Sequence, residues 1–249
     1  MSGRYRLSFQ FNWKITAFTL LMLPILIGLG VWQLQRAQQK QTIQEHWLQQ
    51  QALPPVAMSQ LDQRSSMQFR RVIAEGDFID DRYWLLENKF YNQQWGYQVV
   101  MAFRTRDDRY IVVNRGWVAG SAYRDQLPEF SIPPHSTRIV GTVANPSKMV
   151  LVDESQSALV SWPHLLLEID IDVMARQLGQ PLQPFVLRLD ADSPGALAVA
   201  WQPINMTPAR HRGYAIQWFA LAVALLVLFV FGNSNIKSFF NRNRNDVDH

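Results

Sequence analysis

The sequence predicts an α+β membrane protein in which two transmembrane helices flank a mostly antiparallel β domain, barrel- or sandwich-like, outside the cytoplasm. Three observations lead there. Two long stretches toward the ends of the 249-residue chain carry no charge. The basic excess is confined to the segments beside them. Between them lies a series of short segments rich in β-branched and aromatic residues, separated by turn residues, which is the pattern of an antiparallel sheet.

Residues 1–14 form the expected cytoplasmic N-terminus. The first span, residues 15–35, is uncharged over 21 positions. At about 1.5 Å per residue that crosses a hydrocarbon core of roughly 30 Å. Pro24, Gly28 and Gly30 interrupt it, which membrane helices tolerate. A cleaved signal peptide has a shorter apolar core, about 7–15 residues, and a small-residue cleavage site. This segment ends instead in Trp32-Gln33-Leu34-Gln35-Arg36 and reads as an uncleaved anchor. Residues 36–209 make the β-rich domain, 210–232 the second span with its basic entry, and 233–249 the cytoplasmic tail. Arg4, Arg6, Lys14, Lys237, Arg242 and Arg244 flank the spans on the terminal side, against Arg36, Lys40, Arg210 and Arg212 on the loop side. The bias places both termini in the cytoplasm and the domain across the membrane. In a bacterium the chain is then a two-pass inner-membrane protein with a periplasmic domain.

Within the domain, residues 35–51 are Gln-rich and free of Gly and Pro, and continue the first helix out of the membrane until it stops before Pro54-Pro55. Phe69 to Ile79 is the first predicted strand, with Gly76 a bulge or close-approach point. Arg82 to Tyr91, Tyr97 to Phe103 and Tyr110 to Val118 follow, the last two joined by the polar turn Arg104 to Arg109. Arg138 to Val143 comes after the Pro133-Pro134 punctuation, and Leu165 to Ile169 and Phe185 to Leu189 complete seven strands. Between the last two, Asp170 or Asp172 caps a short helix through Met174 to Leu178, ended by Gly179.

The composition narrows the chemistry. Between Gln41 and Ala209 there are 14 Lys/Arg against 18 Asp/Glu, whereas the remaining segments hold 10 against 2. Positive charge beside apolar spans marks membrane flanks, and nucleic acid is not an expected partner. The chain has no cysteine, so disulfides, thiol redox chemistry and Cys-zinc sites are excluded. G-x-S-x-G, H-E-x-x-H and phosphate-cradling glycine loops are absent. The S-x-x-K at Ser234 to Lys237 falls in the tail, opposite the domain. His46, His135, His164 and His211 show no metal-ligand spacing. The acidic pairs Asp80-Asp81, Asp107-Asp108 and Asp153-Glu154 sit where turns are expected.

His211, Tyr214 and Trp218, at i, i+3 and i+7, fall on one face of the second helix at its entry. Two readings compete. One is an interfacial aromatic belt within a basic flank. The other is an axial haem ligand, His211, with the apolar macrocycle against the helix and its anionic propionates facing Arg210, Arg212 or Arg36.

Four motifs carry a family resemblance. The first span ends Gly30-x-Trp32-Gln33-Leu34-x-Arg36-x-x-x-Lys40. The domain holds Glu75-Gly76-x-Phe78 and Val113-Asn114-Arg115-Gly116-Trp117-Val118. The second span opens His211-x-x-Tyr214-Ala215-x-x-Trp218-Phe219. In this order the chain resembles the Surfeit-locus (Shy) family of cytochrome c oxidase assembly factors over nearly its whole length. The resemblance implies a non-enzymatic role in delivering haem to, or stabilising it in, the catalytic subunit of a haem-copper oxidase. Haem a is the implied transient cofactor, and a haem a synthase an implied further partner beside the oxidase subunit and the bilayer. Residue by residue, His211 matches the second-span histidine proposed as haem ligand, Tyr214 the nearby tyrosine and Gly76 the glycine of the G-x-F motif. Arg210 departs from the Asn common in that position, and would either pair with a propionate or mark a divergent branch.

The expected site is therefore Trp32, Arg36, Arg210, His211, Tyr214 and Trp218, with His211 toward the iron. Trp32 would pack on the macrocycle or on Tyr214. Asn114 to Trp117 is expected to form a turn after a strand, with Trp117 beneath it and Arg115 paired to a carboxylate. The rival functions are an oxidase scaffold that binds no haem and a membrane-anchored periplasmic hydrolase, which would need a Ser, His and acid cluster in the domain.

Overall fold

A computed structural model describes residues 11–61, 67–121, 126–132, 135–146 and 162–234. Arg4, Arg6, Lys237, Arg242, Arg244, Pro133-Pro134 and Asp153-Glu154 lie outside the described residues. The chain divides into a helical unit, residues 1–45 with 203–249, and a β unit, residues 46–202.

The helical unit follows from two apolar segments. Helix α1 (Trp13–Ala52) and helix α3 (Pro208–Gly232) are both long and apolar enough to cross a membrane. The first helix does continue past residue 35, to Ala52, as its Gln-rich extension predicts. Asn12 starts α1, its side-chain oxygen accepting from the amides of Lys14 and Ile15. Thr207 caps α3, followed by Pro208 at a position where a missing amide proton costs nothing. The two helices run antiparallel. Gly30 meets the ring of Phe219 so closely that a β-carbon would lie 2.6 Å from it. The facing stripes are Thr19, Gly30 and Ala37 on α1 and His211, Ala215 and Ala222 on α3, all buried. Small residues let apolar helices approach where lipid removes any hydrophobic drive.

The β unit is a closed barrel. Strand β1 (Val56–Ala57) is short, β2 (Arg71–Tyr91) is long, and β3 (Gln94–Thr105), β4 (Tyr110–Ala119) and β5 (Thr137–Ala144) follow. Strand β6 (His164–Leu166), helix α2 (Ile171–Leu178) and β7 (Leu182–Leu189) complete it. The ring runs β2–β3–β4–β7–β5 and returns to β2, with β1 and β6 added alongside β2. Four pairings are antiparallel; β1–β2, β2–β6 and β4–β7 are parallel, so the sheet is mixed. The last turn of α1 belongs to this unit, where Gln51 donates to the Thr142 hydroxyl at 3.1 Å.

Two predicted strands, Phe69 to Ile79 and Arg82 to Tyr91, are one. Pairing with β3 steps from Phe78–Phe103 to Tyr83–Met101, so the segment between, including Asp80-Asp81, bulges within a continuous strand instead of turning. The bulge also shifts side-chain parity. Before it, Val72, Ala74 and Phe78 point into the barrel with Val99, Met101, Phe103, Ile111, Val113, Ile139, Leu187 and Leu189. After it, Trp84 and Leu86 face outward with Val100, Ala102, Val112 and Val186, beneath Met174 and Leu178 of α2. Helix α2 keeps its predicted ends: Asp170 accepts from the amides of Asp172 and Val173, and Gly179 closes it at φ 72°. Trp84 donates its indole proton to Gln177 at 2.7 Å.

The Asn114 to Trp117 segment is inside β4, not in a turn after it. Val99 pairs with Gly116 and Val100 with Asn114, so Arg115 is the extra residue of a bulge and Gly116 adopts φ 114°, a region that favours glycine. Arg115 is fully buried, and among the described residues its hydrogen-bond partners are two backbone carbonyls and the Met101 sulfur, not a carboxylate. It donates to Gly195 at 2.7 Å and to Ser131 at 2.7 Å, between the rings of Phe78 and Phe130. Burial pushes its pKa down to about 10, with the charge of Asp80 opposing, so it stays charged at neutral pH. Trp117 donates to the Lys89 carbonyl at 3.0 Å. Gly76 is the close-approach point anticipated: a β-carbon there would lie 2.0 Å from the Arg104 carbonyl oxygen.

Candidate functional site

Polar cross-links bracket the apolar part of the helix pair. At one end the Asn12 amide donates to the Asn233 side chain at 2.7 Å. At the other, His211 Nδ1 and Gln33 Oε1 are 2.7 Å apart. The α1 segment between Asn12 and Gln33 rises about 31 Å at about 1.5 Å per residue, the thickness of a hydrocarbon core. His211 therefore sits at the level where such a pair leaves the apolar layer. Beyond it Arg212 donates to Gln41.

His211 is on the buried stripe, 9% exposed. Its Nδ1 takes Gln33, while Nε2 has no partner among the described residues and is not one of the sealed, unsatisfied polar atoms. Tyr214 is 42% exposed and lies at the rim of the stripe, and Trp218 is half-buried. The three keep the predicted common sector, with only His211 turned into the seam. Trp32 does not join them. It is two residues on from Gly30, about 200° around α1 from that seam residue, and the Arg36 guanidinium lies 5.6 Å above its ring. Arg36 and Arg210 are exposed. Arg36 donates to Gln39 at 2.9 Å, and neither has an ion pair among the described residues. The structure thus gathers His211 and Gln33 at the seam, and leaves Arg36, Arg210 and Trp32 on outer faces.

Gln33 is the residue that reading for a ligand passed over, although it stands in the quoted Trp32-Gln33-Leu34 motif. The available signal was an amide at the end of an apolar span, opposite a histidine at the start of another. In the β unit, His164 is buried and not on the surface. Its ring stands against Trp162 at 4.3 Å, and burial lowers its pKa. It stacks edge-on against that ring and makes no hydrogen bond to a serine or an acid among the described residues. His135 is exposed, 3.4 Å from Asp80. Among the described residues no three His, Asp or Glu converge as a metal site.

Comparison with known proteins decides the family. The sequence profile described as SURF1 family matches residues 20–223. The chain belongs to the SURF1 family. A SURF1-like protein of Monosiga brevicollis is 27% identical over 237 residues, covering 86% of each chain. SURF1-like proteins of Rickettsia bellii and Rickettsia felis are 25% and 24% identical, covering 87% and 90% of this chain and 89% and 99% of theirs. The SURF1 match includes α1 from Leu20, the whole barrel and α3 through Val223, so it takes in both sides of the Gln33–His211 contact.

Proposed function

We propose that this SURF1-family chain is a non-enzymatic assembly factor for a haem-copper terminal oxidase in a bacterial inner membrane. In this reading both termini are cytoplasmic and the barrel is periplasmic. The chain holds haem, haem a in a cytochrome c oxidase system, beside its two helices and assists its insertion into, or stabilisation in, the catalytic subunit. A haem a synthase is the natural donor partner.

The observation that carries the reading is the state of His211: buried, bonded through Nδ1 to Gln33, with Nε2 lacking a partner among the described residues. The surrounding groups suit a haem. Imidazole nitrogen is an iron ligand, and Tyr214 and Trp218 offer aromatic surface; Arg210 and Arg36, on outer faces and without carboxylate partners among the described residues, are exposed cations that propionates would have to reach around the helices. Bound haem would supply an iron that an imidazole nitrogen can ligate, and His211 is the residue that would hold it. The chain's own part is to present one nitrogen, screen one face and release the group, which suits a single histidine better than covalent attachment.

The Gln33–His211 bond also favours a second reading, a scaffold in which the pair only locks two helices together. Absorption spectra of the purified protein separate the two. The haem-carrier reading expects a Soret band that is lost or shifted in His211→Ala; unchanged haem content and spectrum would leave only the scaffold.

A further inference from the structure

The contact between the two spans also determines which imidazole nitrogen is available. We propose that Gln33 is a positioning residue that sets the tautomer of His211. Its Oε1 accepts the Nδ1–H proton, so the neutral ring carries its lone pair on Nε2.

Nδ1 and Gln33 Oε1 stand 2.7 Å apart, a full hydrogen bond. An amide oxygen can only accept, so the ring nitrogen facing it must be the donor. A neutral imidazole has one N–H, and the other nitrogen is then the acceptor. That nitrogen, Nε2, has no partner among the described residues and is not sealed inside the protein. His211 lies on the buried stripe of its helix with Ala215, and Gly30 and Ala37 are the buried small residues of α1 on either side of Gln33 in sequence, a composition that lets two helices approach closely. Gln33 thus occupies the place that a carbonyl or carboxylate takes behind metal-binding histidines, where such a partner fixes the tautomer and orients the ring.

The tautomer claim stands without haem; its consequence for iron rests on the function proposed above. The experiment keeps them apart. The full chain, purified in detergent with 15N-labelled histidine, is examined by 15N NMR above the titration range, with His211→Ala assigning the His211 signals. We expect Nδ1 at the protonated-nitrogen shift and Nε2 at the lone-pair shift. Gln33→Leu should shift the population toward Nε2–H, and Gln33→Glu, which keeps an acceptor, should restore the wild-type pattern. An Nε2–H ring in the wild type, or a spectrum that Gln33→Leu leaves unaltered, overturns the proposal. Titration with ferric protoporphyrin IX is the second arm. Gln33→Leu should weaken the His211-dependent component about 10- to 100-fold, the usual effect of losing a partner behind a metal ligand, with Gln33→Glu again restoring it. Equal affinity of wild type, Gln33→Leu and His211→Ala would remove haem from the site, while the tautomer would still be decided by NMR.

Discussion

Arg115 shows how one side chain can organise the interior of the barrel. A guanidinium fully out of water is costly unless its protons are used. Here two carbonyls and two aromatic faces receive it. Arg115→Leu strips both carbonyls of their donor, and the β unit should lose about 3 kcal/mol, read as a lower urea midpoint. Arg115→Lys keeps the charge without the fork and should fall between. His164 makes a separate, pH-dependent prediction. Burial lowers its pKa below the usual histidine value, so at low pH the unfolded chain takes up a proton that the folded chain resists. Its contribution to stability is therefore complete above the unfolded pKa of about 6.5 and is lost as pH falls below it. Thermal melting at pH 7.5 and pH 5.5 should show a drop in the wild type that is smaller in His164→Phe.

At the scale of elements, the seam between α1 and α3 depends on Gly30. Leucine there would drive into the Phe219 ring, and Gly30→Leu should cost about 1–3 kcal/mol in the helix pair, measured by SDS titration in mixed micelles. Helix existence was legible because 21 uncharged residues have few other uses. The ends of α2 were legible because Asp170 and Gly179 act on their own neighbours. The strands were located but their partners were not. Residue 110 meets residue 182 in the parallel β4–β7 pair, and periodicity has no term for a partner seventy positions away. The break at Asp80-Asp81 looked like a turn because a polar pair between apolar runs has the same composition in a bulge. His211 could be seen from its neighbours on one helix. Gln33 offered only an amide at the end of an apolar span, because its bond to His211 exists only once two distant spans are packed.

The whole molecule consists of two units that hold together by different means. The helix pair relies on close backbone approach and a few polar cross-links; the barrel relies on an apolar interior and a closed ladder. They should come apart separately. Urea should unfold the barrel, seen in its tryptophan fluorescence, while much of the helical signal at 222 nm in detergent persists; a single coincident transition would show the units to be coupled. The closure of the ring bears on the order in which this protein can be made. Strand β7 is the piece that joins β4 to β5, and it comes last of all the strands. A chain stopped before Leu182 would hold the other strands of the described ring and still be an open sheet with bare edges, a template for pairing with its neighbours. During synthesis the barrel must therefore wait, unfinished and in need of protection, until the segment through Leu189 has left the ribosome, with α3 still to follow it.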